Sequence, residues 1–291
     1  MKNFEYFEPQ SIEEACELLA KYENAKVLAG GVSLMVLLKN KLIFPDQIVN
    51  LKTIPGLDQI KEGSEGRLSI GALCRHKQIE SSPFIRDRFE VLAEAASKIA
   101  SPPIRNMGTI GGNICHSDPR ADFPPALIAL NASLRIVGSN RSRVIPIGEF
   151  FTDYYENVLE PDEILVEIIV PSLPAVSGGA YFKLSKVTNS TTIVSVAAVI
   201  SLDENKLCSY AGLGIAGVAP VPMVVTEVAN LIGKPIDTSL IEMVASIAAE
   251  QSQPISDSHA SAEYRREMVK VLVKRALFKA FERALEKIRQ G

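Results

Sequence analysis

The sequence predicts an α+β fold: a small parallel α/β lobe, a larger and mainly antiparallel lobe, and a C-terminal antiparallel sheet with helices. Three observations predict it. Residues 4–51 alternate short apolar runs with amphipathic stretches. Residues 56–171 carry short strand-like runs joined by turns. Residues 180–215 read as a strand meander and are followed by helical periodicity to the end.

In the first region "FEYF" (4–7), "AKVLA" (25–29) and "QIVNL" (47–51) are strands. A helix from Ser11 to about Tyr22 opens with an S-x-x-E capping box, Ser11 and Glu14. A second helix covers 33–42, with Ser33 as its candidate N-cap, and ends before Pro45. The order β-α-β-α-β implies a parallel sheet, because only a crossover can join parallel neighbours.

In the second region "GRLSIGAL" is a strand, helices fall near 75–80, 84–99 and 121–130, and "SLRIVG", "SRVIPI" and "EILVEIIVP" are strands. Residues 171–179 read as a linker. Val269, Val273, Ala276, Leu277, Ala280, Phe281, Ala284, Leu285 and Ile288 form a core-facing helical stripe.

The chain has 291 residues, 47% of them hydrophobic and 22% charged, with net charge −3. This is a globular composition without the basic excess of a nucleic-acid binder. No apolar run is long enough to span a bilayer, and the first ten residues lack a signal-peptide core. A cytoplasmic location is expected. Cys16, Cys74, Cys115 and Cys208 are widely spaced, so no metal site on this chain is expected and the thiols are read as reduced.

Two glycine pairs draw attention. Gly30-Gly31 in "LAGGVSLM" stand between a strand and a helix N-terminus, a natural anion site of free amides. Gly111-Gly112 in "MGTIGGNICHSDPRADFPP" form a second bare loop, to which Asn113 adds a donor and an acceptor. Together they suggest a two-sided clamp on one diphosphate, and Gly111→Val is expected to obstruct it. Asp118 and Asp122 either cap the next helix or accept hydrogens from ligand hydroxyls. A G-x-G-x-x-G at Gly212, Gly214 and Gly217 is read as strand end and turn, because Pro220 and Pro222 prevent the helix a dinucleotide motif needs. Cys115 and His116, in an extended segment, would face opposite ways and make a poor nucleophile–base pair. His76, His259 and Lys183 are read as surface residues, Lys183 gaining interest only if its strand faces a ligand.

"LAGGVSLM", followed about eighty residues later by "PPIRNMGTIGGNICHSDPRADFPPALIAL", resembles the FAD-binding medium subunit of molybdenum hydroxylases, the xanthine dehydrogenase and carbon monoxide dehydrogenase family. The resemblance extends through "EILVEIIVP", "FKLSK", "GVAPVPM" and "SAEYRREMVKVLVKRAL". It implies a vanillyl-alcohol oxidase-type (PCMH-type) fold, with an FAD-binding domain at 1–175 (lobes 1–55 and 56–175) and a C-terminal domain at 176–291. The residues it implies at FAD are Val27, Leu28, Ala29, Gly30, Gly31, Val32, Ser33 and Leu34 in the first loop. In the second they are Thr109, Ile110, Gly111, Gly112, Asn113 and Ile114, with Asp118, Asp122, Ile99, Leu165 and Lys183 elsewhere. None is implied to be catalytic. The resemblance further implies a large molybdopterin partner and a small [2Fe–2S] partner, assembled as a dimer of heterotrimers. Electrons from the clusters would pass through FAD to NAD⁺, a quinone, oxygen or a protein carrier. The cysteine group of one iron–sulfur-carrying branch is missing. His116, Arg120 and Ser190 to Thr192 leave the acceptor open. The competing expectations are a stand-alone FAD oxidoreductase of this fold and a scaffold that has lost FAD.

Overall fold

The computed structural model describes residues 3–188 and 190–290. The chain opens with β1 (Glu5–Phe7), α1 (Ile12–Lys21), β2 (Ala25–Leu28), α2 (Val32–Lys39) and β3 (Gln47–Asn50). β3 is central and parallel to both neighbours, pairing Glu5 with Gln47 and Leu28 with Asn50. Ser11 caps α1 by accepting the Glu14 N–H at 3.1 Å, while the Glu14 carboxylate takes the Gln10 N–H at 2.7 Å instead of closing on Ser11. Ala15, Cys16 and Leu19 of α1 pack on Val49 and Leu51, which anchors the lobe. α2 is different: only Leu38 is buried, and Met35 and Val36 are exposed.

The second region holds β4 (Ile60–Glu62), β5 (Leu68–Gly71), α3 (His76–Ser81), α4 (Pro83–Arg88), α5 (Glu90–Ser97), α6 (Pro102–Met107), α7 (Ile110–His116), α8 (Phe123–Ala129), β6 (Ser133–Gly138), β7 (Arg141–Pro146), the short pair β8 (Phe151–Asp153) and β9 (Glu156–Asn157), and β10 (Ile164–Val170). Its sheet runs β4-β5-β10-β6-β7, antiparallel throughout. The stretch expected as one helix over 84–99 is two. Ser82 and Pro83 start α4, and Phe89 leaves helical geometry between α4 and α5. The segment around Gly111-Gly112, read as a bare loop, is α7, and α6 precedes it.

The last region is β11 (Ser177–Ser185), β12 (Thr192–Leu202), β13 (Cys208–Ala216), β14 (Met223–Val224), α9 (Thr238–Gln251) and α10 (Ala262–Gln290), with the strands antiparallel in sequential order. The expected linker over 171–179 is shorter, since β11 begins at Ser177. β12 is buried along its whole length because it separates two cores. Ala197 and Val199 join the core of Leu92, Phe123 and Leu127, while Val196, Ala198 and Ile200 join Val273, Leu277 and Ala280 of α10. The strand's two-residue period makes this possible. Gly212 and Gly214 let α8 lie on β13: a Cβ at either would stand 2.0 Å and 2.3 Å from the Ala129 and Pro125 carbonyl oxygens. That glycine motif therefore belongs to a strand, as expected.

The free edge of β11 is closed by α5. Glu90 accepts the Gly179 N–H at 3.0 Å and Glu94 accepts the Tyr181 N–H at 2.9 Å. Arg283 of α10 ties both carboxylates down, at 2.5 Å to Glu94 and 3.7 Å to Glu90. This seam fixes the C-terminal sheet against the helices that carry the site. Among the described residues no helix is long and apolar enough to cross a membrane.

Candidate cofactor-binding site

The two glycine pairs meet. A Cβ at Gly30 would stand 2.2 Å from the Met107 carbonyl oxygen, and one at Gly112 would stand 3.8 Å from the Ala29 Cβ. The turn after β2 and the turn before α7 thus share one cleft. Their amides differ. Gly31, not Ser33, is the N-cap of α2; its φ of +77° is the left-handed region that favours glycine. It offers no side-chain cap, so the amides of Val32, Ser33 and Leu34 have no acceptor among the described residues. They and the positive end of α2 form an anion-binding surface.

The second pair has no free amides, contrary to the expectation of a bare loop. Ile110 N–H donates to the Cys74 carbonyl at 2.9 Å, Gly111 N–H to Ala72 at 2.8 Å and Asn113 N–H to Thr109 at 2.9 Å. Gly112 N–H donates to Thr109 Oγ1 at 3.1 Å. These residues open α7, whose N-cap is Thr109. Gly111 is required by close approach to the turn after β5, since a Cβ there would stand 2.7 Å from the Ala72 carbonyl oxygen. The obstruction expected of Gly111→Val therefore falls on Ala72. What this side offers a ligand is Asn113, whose buried Oδ1 has no hydrogen-bond partner. Gly30 and Thr109 also border a cavity of 430 Å³ that carries Lys52, Arg75 and Asn106.

A second cluster forms where β11 and β12 meet α5 and α8. Asp122, N-cap of α8, makes no side-chain cap bond. Its Oδ1 accepts from Tyr181 Oη at 2.6 Å and Thr192 Oγ1 at 3.2 Å, and its Oδ2 from Lys183 Nζ at 2.9 Å. Lys183 Nζ also donates to the Lys98 carbonyl at 3.1 Å. Burial holds the Asp122 carboxyl above its ordinary value, against a smaller lowering pull from Lys183, Tyr181 and Thr192. Tyr181 carried no signal in the sequence, and Thr192 entered only within the segment that leaves the acceptor open, because their partner lies 59 and 70 residues away.

The other expected residues are placed as follows. Val27 and Leu28 end β2, Val27 exposed, and Ile114 is buried in α7. Ile99 follows α5, and Leu165 sits in β10 at a bulge; both are buried in the central core. Asp118 spends Oδ1 on its own turn, accepting from Arg120 N–H at 2.9 Å and Nε at 3.3 Å. Cys115 and His116 lie in the last turn of α7, not an extended segment, and burial pushes the Cys115 thiol up to about 12. His76 is not a surface residue: it is 4% exposed, its ring lies 5.2 Å from that of Phe123, and burial with nearby Arg105 pushes it down to about 4. A Cβ on Gly108 would meet its Nε2 at 2.5 Å, so the imidazole props the turn before Thr109.

A paired-turn cleft with free helix amides on one wall and an orphaned asparagine oxygen on the other, in this mixed fold, suits a dinucleotide-type cofactor. Comparison with known proteins gives the family. A family described as the FAD-binding domain in molybdopterin dehydrogenase matches residues 2–173, and the CO dehydrogenase flavoprotein C-terminal domain matches 179–280. The carbon monoxide dehydrogenase medium chain of Hydrogenophaga pseudoflava is 36% identical over 96% of this chain and 98% of its own. Subunit alpha of the 6-hydroxypseudooxynicotine dehydrogenase complex of Paenarthrobacter nicotinovorans is 35% identical over 97% and 96%. A solved structure of carbon monoxide dehydrogenase from Hydrogenophaga pseudoflava, lacking the Mo-pyranopterin moiety of its molybdenum cofactor, superposes with TM-score 0.93 over 97% of this chain and 98% of that one, at 36% identity.

The chain belongs to the family of FAD-binding subunits of molybdopterin dehydrogenases. Its fold is the PCMH-type FAD-binding fold with an antiparallel C-terminal sheet. The residues fit the cofactor: a diphosphate needs unpaired amide donors, which Val32, Ser33 and Leu34 supply, and Asn113 Oδ1 needs a donor that the protein does not provide.

Proposed function

We propose that this chain is the FAD-carrying electron-transfer subunit of a multi-subunit molybdenum hydroxylase. Electrons would arrive from [2Fe–2S] clusters on a small partner, after substrate oxidation at a molybdopterin centre on a large partner, and leave to NAD⁺, a quinone, oxygen or a protein carrier. The observation that carries this reading is the cleft between Gly30 and Gly112, with its free α2 amides. In it the amides of residues 32–34 hold the diphosphate. Asn113 accepts a hydrogen bond from the cofactor, and Asp122 and Lys183 address its polar edges. Bound FAD supplies the redox chemistry. The chain's own residues bind it, orient it and exclude water.

Residues 1–175 serve the cofactor in this reading, and 176–291 close the site through the β11 seam. Val27 to Leu34, Ile99, Thr109 to Ile114, Asp118, Asp122, Leu165 and Lys183 are its binding residues. The four unpaired thiols suit a reducing, cytoplasmic compartment. Native purification tests the reading. Large and small partners should accompany the chain, two heterotrimers per assembly, with one FAD per chain released on denaturation. A chain that purifies alone, or a complex without flavin, would contradict it.

A further inference from the structure

The Asp122–Lys183 cluster holds two more groups than an ion pair needs. The Asp122 and Lys183 side chains are 9% and 6% exposed. A buried carboxylate stays ionised only when opposite charge and hydrogen bonds replace its water. Lys183 occupies Oδ2, and Oδ1 takes two hydroxyl donors. The shorter of these bonds comes from Tyr181, whose buried phenol is pushed well above its ordinary value and so remains a donor. Tyr181 is itself anchored: its N–H is held by Glu94, and Glu94 by Arg283. Lys183 spends two of its three donors, on Asp122 and the Lys98 carbonyl, and finds no third acceptor among the described residues.

We propose that Tyr181, with Thr192 in a lesser role, is a positioning residue of the cofactor site: its hydroxyl fixes the Asp122 carboxylate so that the Lys183 side chain is held in place with one donor left for FAD. This rests on the FAD-binding reading given above. A Phe at 181 would fill the same space, so packing alone does not call for the hydroxyl. A fixed cation at the cofactor favours the form carrying more electrons, so loosening Lys183 lowers the flavin midpoint potential.

The test is reductive titration of the FAD-loaded complex in wild type, Tyr181→Phe, Thr192→Val, Lys183→Met and the double variant Tyr181→Phe/Lys183→Met. Tyr181→Phe should lower the ratio of reduced to oxidised flavin at fixed potential about tenfold, roughly 30 mV for a two-electron couple. Thr192→Val should shift it the same way by less, and Lys183→Met by more. In the Lys183→Met background, Tyr181→Phe should add nothing. A purely structural role would lower thermal stability without this non-additivity. An unchanged potential in flavin-replete Tyr181→Phe, or an equal shift in both backgrounds, overturns the inference alone. If Tyr181→Phe does not yield loaded complex, an unmoved potential in Thr192→Val overturns it. Wild-type complex without FAD overturns both this inference and the function it rests on.

Discussion

Gly30-Gly31 and Gly111-Gly112 look alike in the sequence and do different work. The first pair ends a strand in left-handed backbone and leaves three helix amides without acceptors. The second is folded into a helix whose first amides are all used, and Gly111 is bare so that α7 can touch Ala72. A glycine doublet marks a place where something approaches closely. Here an open helix N-terminus faces the cleft in one case, and the turn after β5 lies against the glycine in the other.

The largest effect expected from breaking this contrast comes from Gly111→Val. Its added atoms meet Ala72 backbone, which cannot rotate away, so unfolding free energy should fall by about 3 kcal/mol or more. Denaturant titration would show this, and flavin loss would follow from the fold. Gly30→Ala, 2.2 Å from the Met107 oxygen, should likewise force the two turns apart.

Acid comes next. His76, held near 4 against 6.5 for a free histidine, stays neutral in the fold. The unfolded chain takes up a proton that the folded chain refuses. Stability is therefore full above pH 6.5 and declines as pH falls towards 4, by about 3 kcal/mol in all. His76→Gln should flatten that slope in stability measured across the window. A slope unchanged in the variant would assign the loss elsewhere.

Smaller effects separate the two turns. Gly31→Ala should cost about 1–2 kcal/mol in left-handed backbone, with weaker FAD binding by equilibrium titration, and Gly31→Asn should cost less. Thr109→Val removes the cap on Gly112 N–H. It should cost about 1 kcal/mol in thermal unfolding, because that amide is left without its acceptor.

Local signals were legible where residues and their partners are neighbours. Ser11 announced α1 and the α10 stripe its buried face, while the second helix, expected to run to 42 and stop at Pro45, already ends at Lys39. α7 was not legible. Two glycines and an asparagine are poor helix formers, and the helix exists because Thr109 caps it and Ala72 and Cys74 receive its amides. His76, in the polar run "CRHKQ", gave no hint of the Phe123 ring that covers it. Asp122 stood out in its motif and Lys183 was placed at the cofactor through family resemblance, while Tyr181 and the role of Thr192 required the fold, since β11 and β12 bring them to α8.

Residue-level amide hydrogen exchange on the assembled protein, with and without FAD, tests the contrast most directly. Added protection at Val32, Ser33 and Leu34 is expected, with Ile110 to Asn113 protected equally in both states. Protection gained at 110–113 while 32–34 stay unchanged would contradict the account.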